Sequence, residues 1–144
     1  VQIAKQFVSF YDRNSICLIR SFSFHEMTGV FNAADVAVLL RKNHLMNLHS
    51  CPGKMGEYLG CGLPVVTTRH IGTYSDWLNG KAFAYFMEDS ILEKHEFRLA
   101  VNDLDKFIRN NQCSSKRQKV SLLANTQFSS EASNSHNWID KVIK

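Results

Sequence analysis

No stretch of this sequence approaches the ~18 consecutive apolar residues that a bilayer-crossing helix needs, and no basic segment followed by an apolar one stands at its start. A membrane span is therefore not expected. Cysteine is sparse: Cys17, Cys51, Cys61 and Cys113 form no CxxC pair and no zinc-ligand spacing, and Cys17 and Cys61 sit beside apolar residues in the manner of small buried hydrophobes. Together these absences point to a reducing compartment, the cytoplasm. The histidines (His25, His44, His49, His70, His95, His136) are scattered, with none four residues from another, so no metal site is expected.

Charge of one sign is scarce as well. The net charge is +4, and the densest basic run, Lys116-Arg117-Gln118-Lys119, has no aromatic residue interleaved. Nucleic-acid binding calls for a denser patch and a stacking platform, so this run reads as a solvated helix face and no nucleic-acid partner is expected. Internal repeats and low-complexity tracts are absent. What remains is an ordinary globular composition, 44% hydrophobic and 21% charged over 144 residues, which suits one domain with a sizeable core. The opening Val1-Gln2-Ile3 has the character of the interior of a helix or strand, and the chain is expected to be part of a longer one.

Short apolar runs alternate with helical periodicity along the chain. Ile3, Phe7, Val8, Phe10 and Tyr11 are spaced as on a helix, and Ile16 to Ile19 is a run of the buried-strand kind. A helix from His25 through Phe31 is predicted, with Ser23 as its cap and Glu26 completing a capping box. Ala34 to Leu40 is continuously apolar except for Asp35, which predicts a parallel strand covered on both faces. Arg41 to His49 is polar and irregular. Further strands are predicted at Pro64 to Thr68 and Ala82 to Phe86, with a helical turn at Tyr74 to Leu78 between them. A long helix capped by Asp89 or Ser90 follows, then a linker at Asn110 to Ser115 and helices at 116 to 126 and 130 to 144. Strands alternating with helices mean βα units: an α/β fold with a Rossmann-like parallel sheet and helices on both faces.

The most informative stretch is Ser50-Cys51-Pro52-Gly53-Lys54-Met55-Gly56-Glu57-Tyr58-Leu59-Gly60-Cys61-Gly62-Leu63-Pro64-Val65-Val66, which holds both prolines of the chain. Pro52 fits the first position of a helix, where its missing N–H is no loss. Ser50 or Cys51 would be the cap, with Ser50 the better acceptor. Gly60 and Gly62 are candidates for the left-handed residue that ends the helix. Lys54 and Glu57, three residues apart, share one helix face. Free N–H groups, glycines and a lysine one turn in make a good seat for a phosphate. In a parallel sheet that helix start falls outside the carboxyl ends of the strands, where such folds bind ligands.

These same residues resemble a known family. The stretch Ala33 to Arg41, followed by Pro52-x-Lys54-x-x-Glu57-Tyr58-Leu59-x-Cys61-Gly62-Leu63-Pro64-Val65-Val66, resembles the donor-binding half of GT-B fold glycosyltransferases, of the glycosyltransferase family 4 or "glycosyl transferases group 1" type. The likeness spans roughly residues 20 to 90. It implies a C-terminal donor domain, partial here, for residues 1 to 144. The enzyme would move a sugar from a UDP- or GDP-sugar to a saccharide or lipid-linked acceptor, as in surface polysaccharide synthesis. By the same likeness Glu57 would hold the ribose hydroxyls, a task suited to a carboxylate that accepts two bonds. Lys54 and the N–H groups of residues 53 to 56 would face the diphosphate and stabilise it as it leaves. His49 and Ser50 would lie near the donor sugar, and Arg41 would be a second diphosphate contact. Many relatives carry a glutamate where this chain has His49.

Relatives of this type mostly retain the sugar's configuration and need no bound metal or other cofactor. They carry an acceptor domain N-terminal to the donor domain, and some associate peripherally with membranes. The isolated chain is accordingly expected to bind the donor without transferring it. No general base has a clear claim. The alternative reading of the same helix start is a non-catalytic nucleotide-binding or flavodoxin-like module.

Overall fold

Strand Val65–Thr67 is buried along its whole length, between the other two strands of its sheet. The computed structural model describes residues 21–89 and 97–128. Within them, β1 (Ala37–Leu39), β2 (Val65–Thr67) and β3 (Ala84–Phe86) form a parallel sheet in the order β1-β2-β3. The helices are α1 (Phe24–Ala33), α2 (Leu45–Leu48), α3 (Gly53–Gly60), α4 (Thr73–Leu78), α5 (Phe97–Asn111) and α6 (Ser114–Phe128). The class is α/β, as the alternation of strands and helices predicts. The strand expected at 16 to 19, the start of the long helix after Asp89 and the helix at 130 to 144 lie outside the described residues.

Strand alternation divides the packing. Ala37, Leu39, Val65, Ala84 and Phe86 join one core with Phe31 of α1, Met55 and Leu59 of α3, Tyr74 and Leu78 of α4, and Val120 and Ala124 of α6. The opposite row, in register, is Val38, Val66 and Tyr85. Tyr85 meets Phe107 of α5, with ring centroids 5.6 Å apart, while Val38 is 53% exposed. This corrects the expectation that Ala34 to Leu40 is one strand covered on both faces. Only three residues pair, and Val38 lies at the β1 edge of the row, away from the Tyr85 end that α5 meets.

Local signals act as chemistry dictates. The Glu26 carboxylate accepts from the Ser23 N–H at 2.8 Å, the return bond of a capping box, and also from the Ser23 hydroxyl at 2.8 Å. α3 ends in a Schellman motif: the Leu63 N–H donates to Tyr58 O (3.0 Å) and the Gly62 N–H to Leu59 O (2.9 Å). Of the two candidate glycines, Gly62 is the left-handed one, with φ 73°. It is required twice over, because a Cβ there would stand 2.3 Å from the carbonyl oxygen of Arg117.

Arg117 departs from the solvated helix face expected for residues 116 to 119. Its neighbours Lys116, Gln118 and Lys119 are exposed, but Arg117 is half-buried. Its guanidinium donates to Asn32 O, Ala34 O, Phe31 O and Cys61 O at 3.2 to 3.4 Å. These are carbonyls at the C-terminal ends of α1 and α3, which carry the negative end of each helix dipole; Phe31 O also accepts from the Ala34 N–H (3.2 Å). Ser121, one turn further along α6, donates to Gly60 O at 2.7 Å. Replacement Arg117→Met is expected to lower stability by about 1–3 kcal/mol, because several carbonyls lose a charged donor. Arg117→Lys should recover only part of the loss, since an ammonium lacks the planar fork. Urea unfolding of the three proteins measures both.

Candidate functional site

Because all three strands are parallel, their carboxyl ends open on one edge, and the connections that leave them gather there. β1 runs into residues 40 to 52 and then α3. β2 runs into 68 to 72, and β3 into 87 to 89. The N-terminus of α3 therefore stands at the carboxyl edge of the sheet.

α3 is amphipathic in a way that leaves its outer face free. Met55 and Leu59, one turn apart, are fully buried. Tyr58 is half-buried and sets its ring perpendicular to Phe31, at 5.1 Å between centroids. The opposite face presents Lys54 and Glu57, whose Nζ and Oε2 are 3.5 Å apart and whose side chains are 55% and 46% exposed. Lys54 Nζ also stands 5.9 Å from the centre of the Phe31 ring. A solvated pair of this kind contributes little to stability, on the order of 0–1 kcal/mol, and separates readily when either partner finds another.

The capping differs from expectation by one position. Pro52 is the N-cap of α3 and not its first helical residue, with φ −69° and ψ 111°, and Gly53 takes the first position. The extended ψ belongs to a residue outside the helix, and the buried pyrrolidine ring packs there in place of a capping side chain. Ser50 does not cap α3 either, because its hydroxyl donates to Asn47 O at 3.0 Å. Met55 N–H bonds to Pro52 O (2.9 Å), while the exposed Gly53 and Lys54 supply the first N–H groups of the helix.

Residues 40 to 52 are tied down by polar groups that bond inward. Thr68 Oγ1 accepts from the Arg41 N–H (2.9 Å) and donates to Arg41 O (2.7 Å), while Thr67 Oγ1 donates to Leu39 O (2.8 Å). The Arg41 guanidinium donates to Asn47 Oδ1 at 3.0 Å, and Asn47 Nδ2 donates to Lys42 O at 2.9 Å. His44 caps α2 by accepting from the Met46 N–H. His49 stands exposed at the other end of α2. Gly72 closes the seam: its φ of 60° and ψ of −138° suit only glycine, and a Cβ would stand 1.8 Å from Ser50 O. The seven candidate residues thus fall into two groups. Arg41 and Ser50 meet through Asn47, with His49 exposed beside them, and Gly53, Lys54 and Glu57 share α3, with Pro52 as the join.

Three features of this edge had little or no signal of their own in the sequence. The Thr67-Thr68 pair is one; consecutive hydroxyls closing an apolar strand were its only hint. A second is Tyr74, whose buried hydroxyl lies beside Cys51 just ahead of α3 and against Gly56. Burial, and then the neighbouring Cys51, push its pKa up to about 12, so it stays neutral. The third is the His70–Asp89 pair, in which Nε2 and Oδ2 are 2.7 Å apart. The carboxylate can only accept, so Nε2 carries the proton, and Nδ1 is buried with no hydrogen-bond partner among the described residues. The pair lines a cleft of about 270 Å³ with Arg69, Met87 and Glu88, at the carboxyl ends of β2 and β3. A roomier cleft, about 380 Å³, lies at the opposite edge of the sheet. It is lined by Arg117, Ser121 and Gly60, groups already committed to holding α6, and is not the candidate site. Among the described residues no three His, Cys, Asp or Glu side chains gather as a metal would require. Nor is any helix among them long and apolar enough to cross a membrane.

Comparison of the chain with family models, with curated proteins and with solved structures found no match.

The seam at Gly72 is directly testable. Gly72→Ala is expected to cost about 2 kcal/mol or more, from backbone strain and the clash with Ser50 O, and to lower the thermal midpoint. Gly29→Ala, where a Cβ meets nothing within 4 Å, should leave the midpoint unchanged or raised.

Proposed function

We propose that this chain is the donor-binding half of a GT-B fold glycosyltransferase of the family 4 or group 1 type, binding a nucleoside diphosphate sugar at the carboxyl edge of its sheet. The observation that carries the reading is α3 itself: a helix start at the ligand edge, with Lys54 and Glu57 exposed together on its outer face. The residues that make the family resemblance are the residues on that face and in the strand entry behind it.

The chemistry follows from the two side chains. In the free protein Lys54 and Glu57 neutralise each other across 3.5 Å. A diphosphate arriving at the first turn offers the N–H groups of Gly53 and Lys54 an anion, and offers the lysine a stronger partner than a single carboxylate. Glu57, released from Lys54, then has lone pairs for both hydroxyls of a ribose. The exchange breaks only a solvated ion pair, so its cost is small. As the glycosidic bond breaks, negative charge builds on the departing nucleoside diphosphate, and Lys54 with the helix start stabilises it. Arg41, with its guanidinium engaged by Asn47, would be the second cation at that edge. His49 and Ser50 lie on the connection that would border the sugar. The acceptor would be a saccharide or a lipid-linked saccharide presented by another domain.

Isothermal titration of the chain with UDP and GDP tests this reading. At least one is expected to bind, with Glu57→Ala and Lys54→Met each weakening it by about tenfold, the worth of a charge-assisted hydrogen bond. Inorganic phosphate and flavin mononucleotide should compete poorly. Absence of binding by UDP and GDP alongside tight binding of flavin would replace this reading with a flavodoxin-like module.

A further inference from the structure

A further set of charges stands at the carboxyl edge, on the two connections that do not lead into α3. The cleft of about 270 Å³ lies between them: Arg69 and His70 line it from the connection after β2, and Met87, Glu88 and Asp89 from the one after β3. Charges of opposite sign share this small space, yet among the described residues Arg69 makes no ion pair with Glu88 or Asp89. Each side is restrained by a neighbour of its own. The Arg69 guanidinium lies over the Phe86 ring, 4.5 Å from its centre, and donates to Asn79 Oδ1 at 3.4 Å. Asp89 is held through Oδ2 by the Nε2–H of His70, at 2.7 Å. Stability does not account for this arrangement. Asp89 is 41% exposed, which weakens the pair, while Nδ1 of His70 is buried with no partner among the described residues, a desolvation cost with no bond in return.

The groups left over define a ligand. Among the described residues Asp89 Oδ1 and the exposed Glu88 carboxylate have no partner, and the guanidinium has further N–H groups beyond the one Asn79 takes. A guanidinium offers a planar fork to a carboxylate, and carboxylates accept from the three donors of an ammonium. A bare anion would face Glu88 and Asp89, and a bare cation would face Arg69; a zwitterion meets each charge with its opposite. The volume lies below the ~300–1,000 Å³ of sites for drug-sized ligands, so it suits one small molecule whose two charges are close together. We infer that this cleft binds a free α-amino acid, its carboxylate on Arg69 and its ammonium between Glu88 and Asp89. The site shares no residue with the face of α3, so the inference goes beyond the nucleotide reading and is independent of it.

Proton–nitrogen correlation spectra of the labelled 144-residue chain test it, with glycine, serine, leucine, lysine and glutamate as probes. At least one is expected to shift the backbone amides of Arg69, His70 and Asp89 saturably, with a Kd on the order of 1 mM. The N-acetyl and the amide derivatives of that amino acid, each short of one charge, should bind about tenfold more weakly. Arg69→Gln and Asp89→Asn should each weaken binding by a similar factor. Arg69 is exposed, and asparagine still offers an oxygen to the Nε2–H of His70, so both variants should keep the wild-type melting temperature. Glu57→Ala should bind the amino acid as the wild type does, which separates failure here from failure of the nucleotide reading. The proposal is overturned if none of the five probes gives a saturable shift, if the blocked derivatives bind equally well, or if both variants keep wild-type affinity. Shifts at these amides with methyl glucoside and not with amino acids would overturn it too, since the cleft would then serve hydroxyls and not paired charges.

Discussion

A single guanidinium on α6 ties together the C-terminal ends of α1 and α3. Helices that connect strands of a parallel sheet all end, by geometry, near the amino edge, where their last carbonyls crowd together with aligned negative dipole ends. Left alone, these groups would either keep water at the edge of the core or repel one another. Arg117 reaches them from α6 and serves α1 and α3 with one planar fork. The approach depends on Gly62, which lets α6's backbone come to where any Cβ would collide. Val120 and Ala124 then close the core behind it. Fixing the C-terminal end of α3 in this way also fixes where its N-terminal end emerges, at the opposite edge of the sheet.

That opposite edge is organised by short polar side chains instead of a long charged one. Thr67 and Thr68 hold the end of β1 through its backbone, Asn47 holds Arg41 and Lys42, and Gly72 lets the next connection lie against Ser50. The hydroxyls and amides are consumed within the edge, which leaves two things for a partner: the charged face of α3 and the apolar turn of α2. They are different chemistries side by side. The first is charged and the second apolar, and the connection between them is only His49, Ser50, Cys51 and Pro52.

Much of the fold was legible because it rests on local rules. The Ser23–Glu26 capping box, the glycine that ends α3 and the places of β2, β3 and α4 follow from spacing and backbone preference. Errors came where neighbours decide. Pro52 moved from the first helical turn to the cap because its ring is buried, and Ser50 turned from α3 toward Asn47. β1 shortened to three residues, with Val38 open at its edge. Of the candidate site, the α3 face could be read from residues three apart. The pairing of His70 with Asp89, nineteen residues on, could not.

Sequence by itself determined what is local: the helix with Lys54 and Glu57 on one face, the Gly-Leu-Pro-Val entry into a buried strand, and the alternation that makes an α/β sheet. These depend on residues within a turn or two of each other, and the periodicity carries them. Tertiary structure alone decided that a lysine- and arginine-rich run is in part a half-buried clamp, and that the loop after β1 turns its polar groups in and its leucines and methionine out. Both outcomes depend on carbonyls and hydroxyls that other segments bring within hydrogen-bonding distance, from Thr68 to Arg41 and from Arg117 to Phe31. No period in the sequence records those distances.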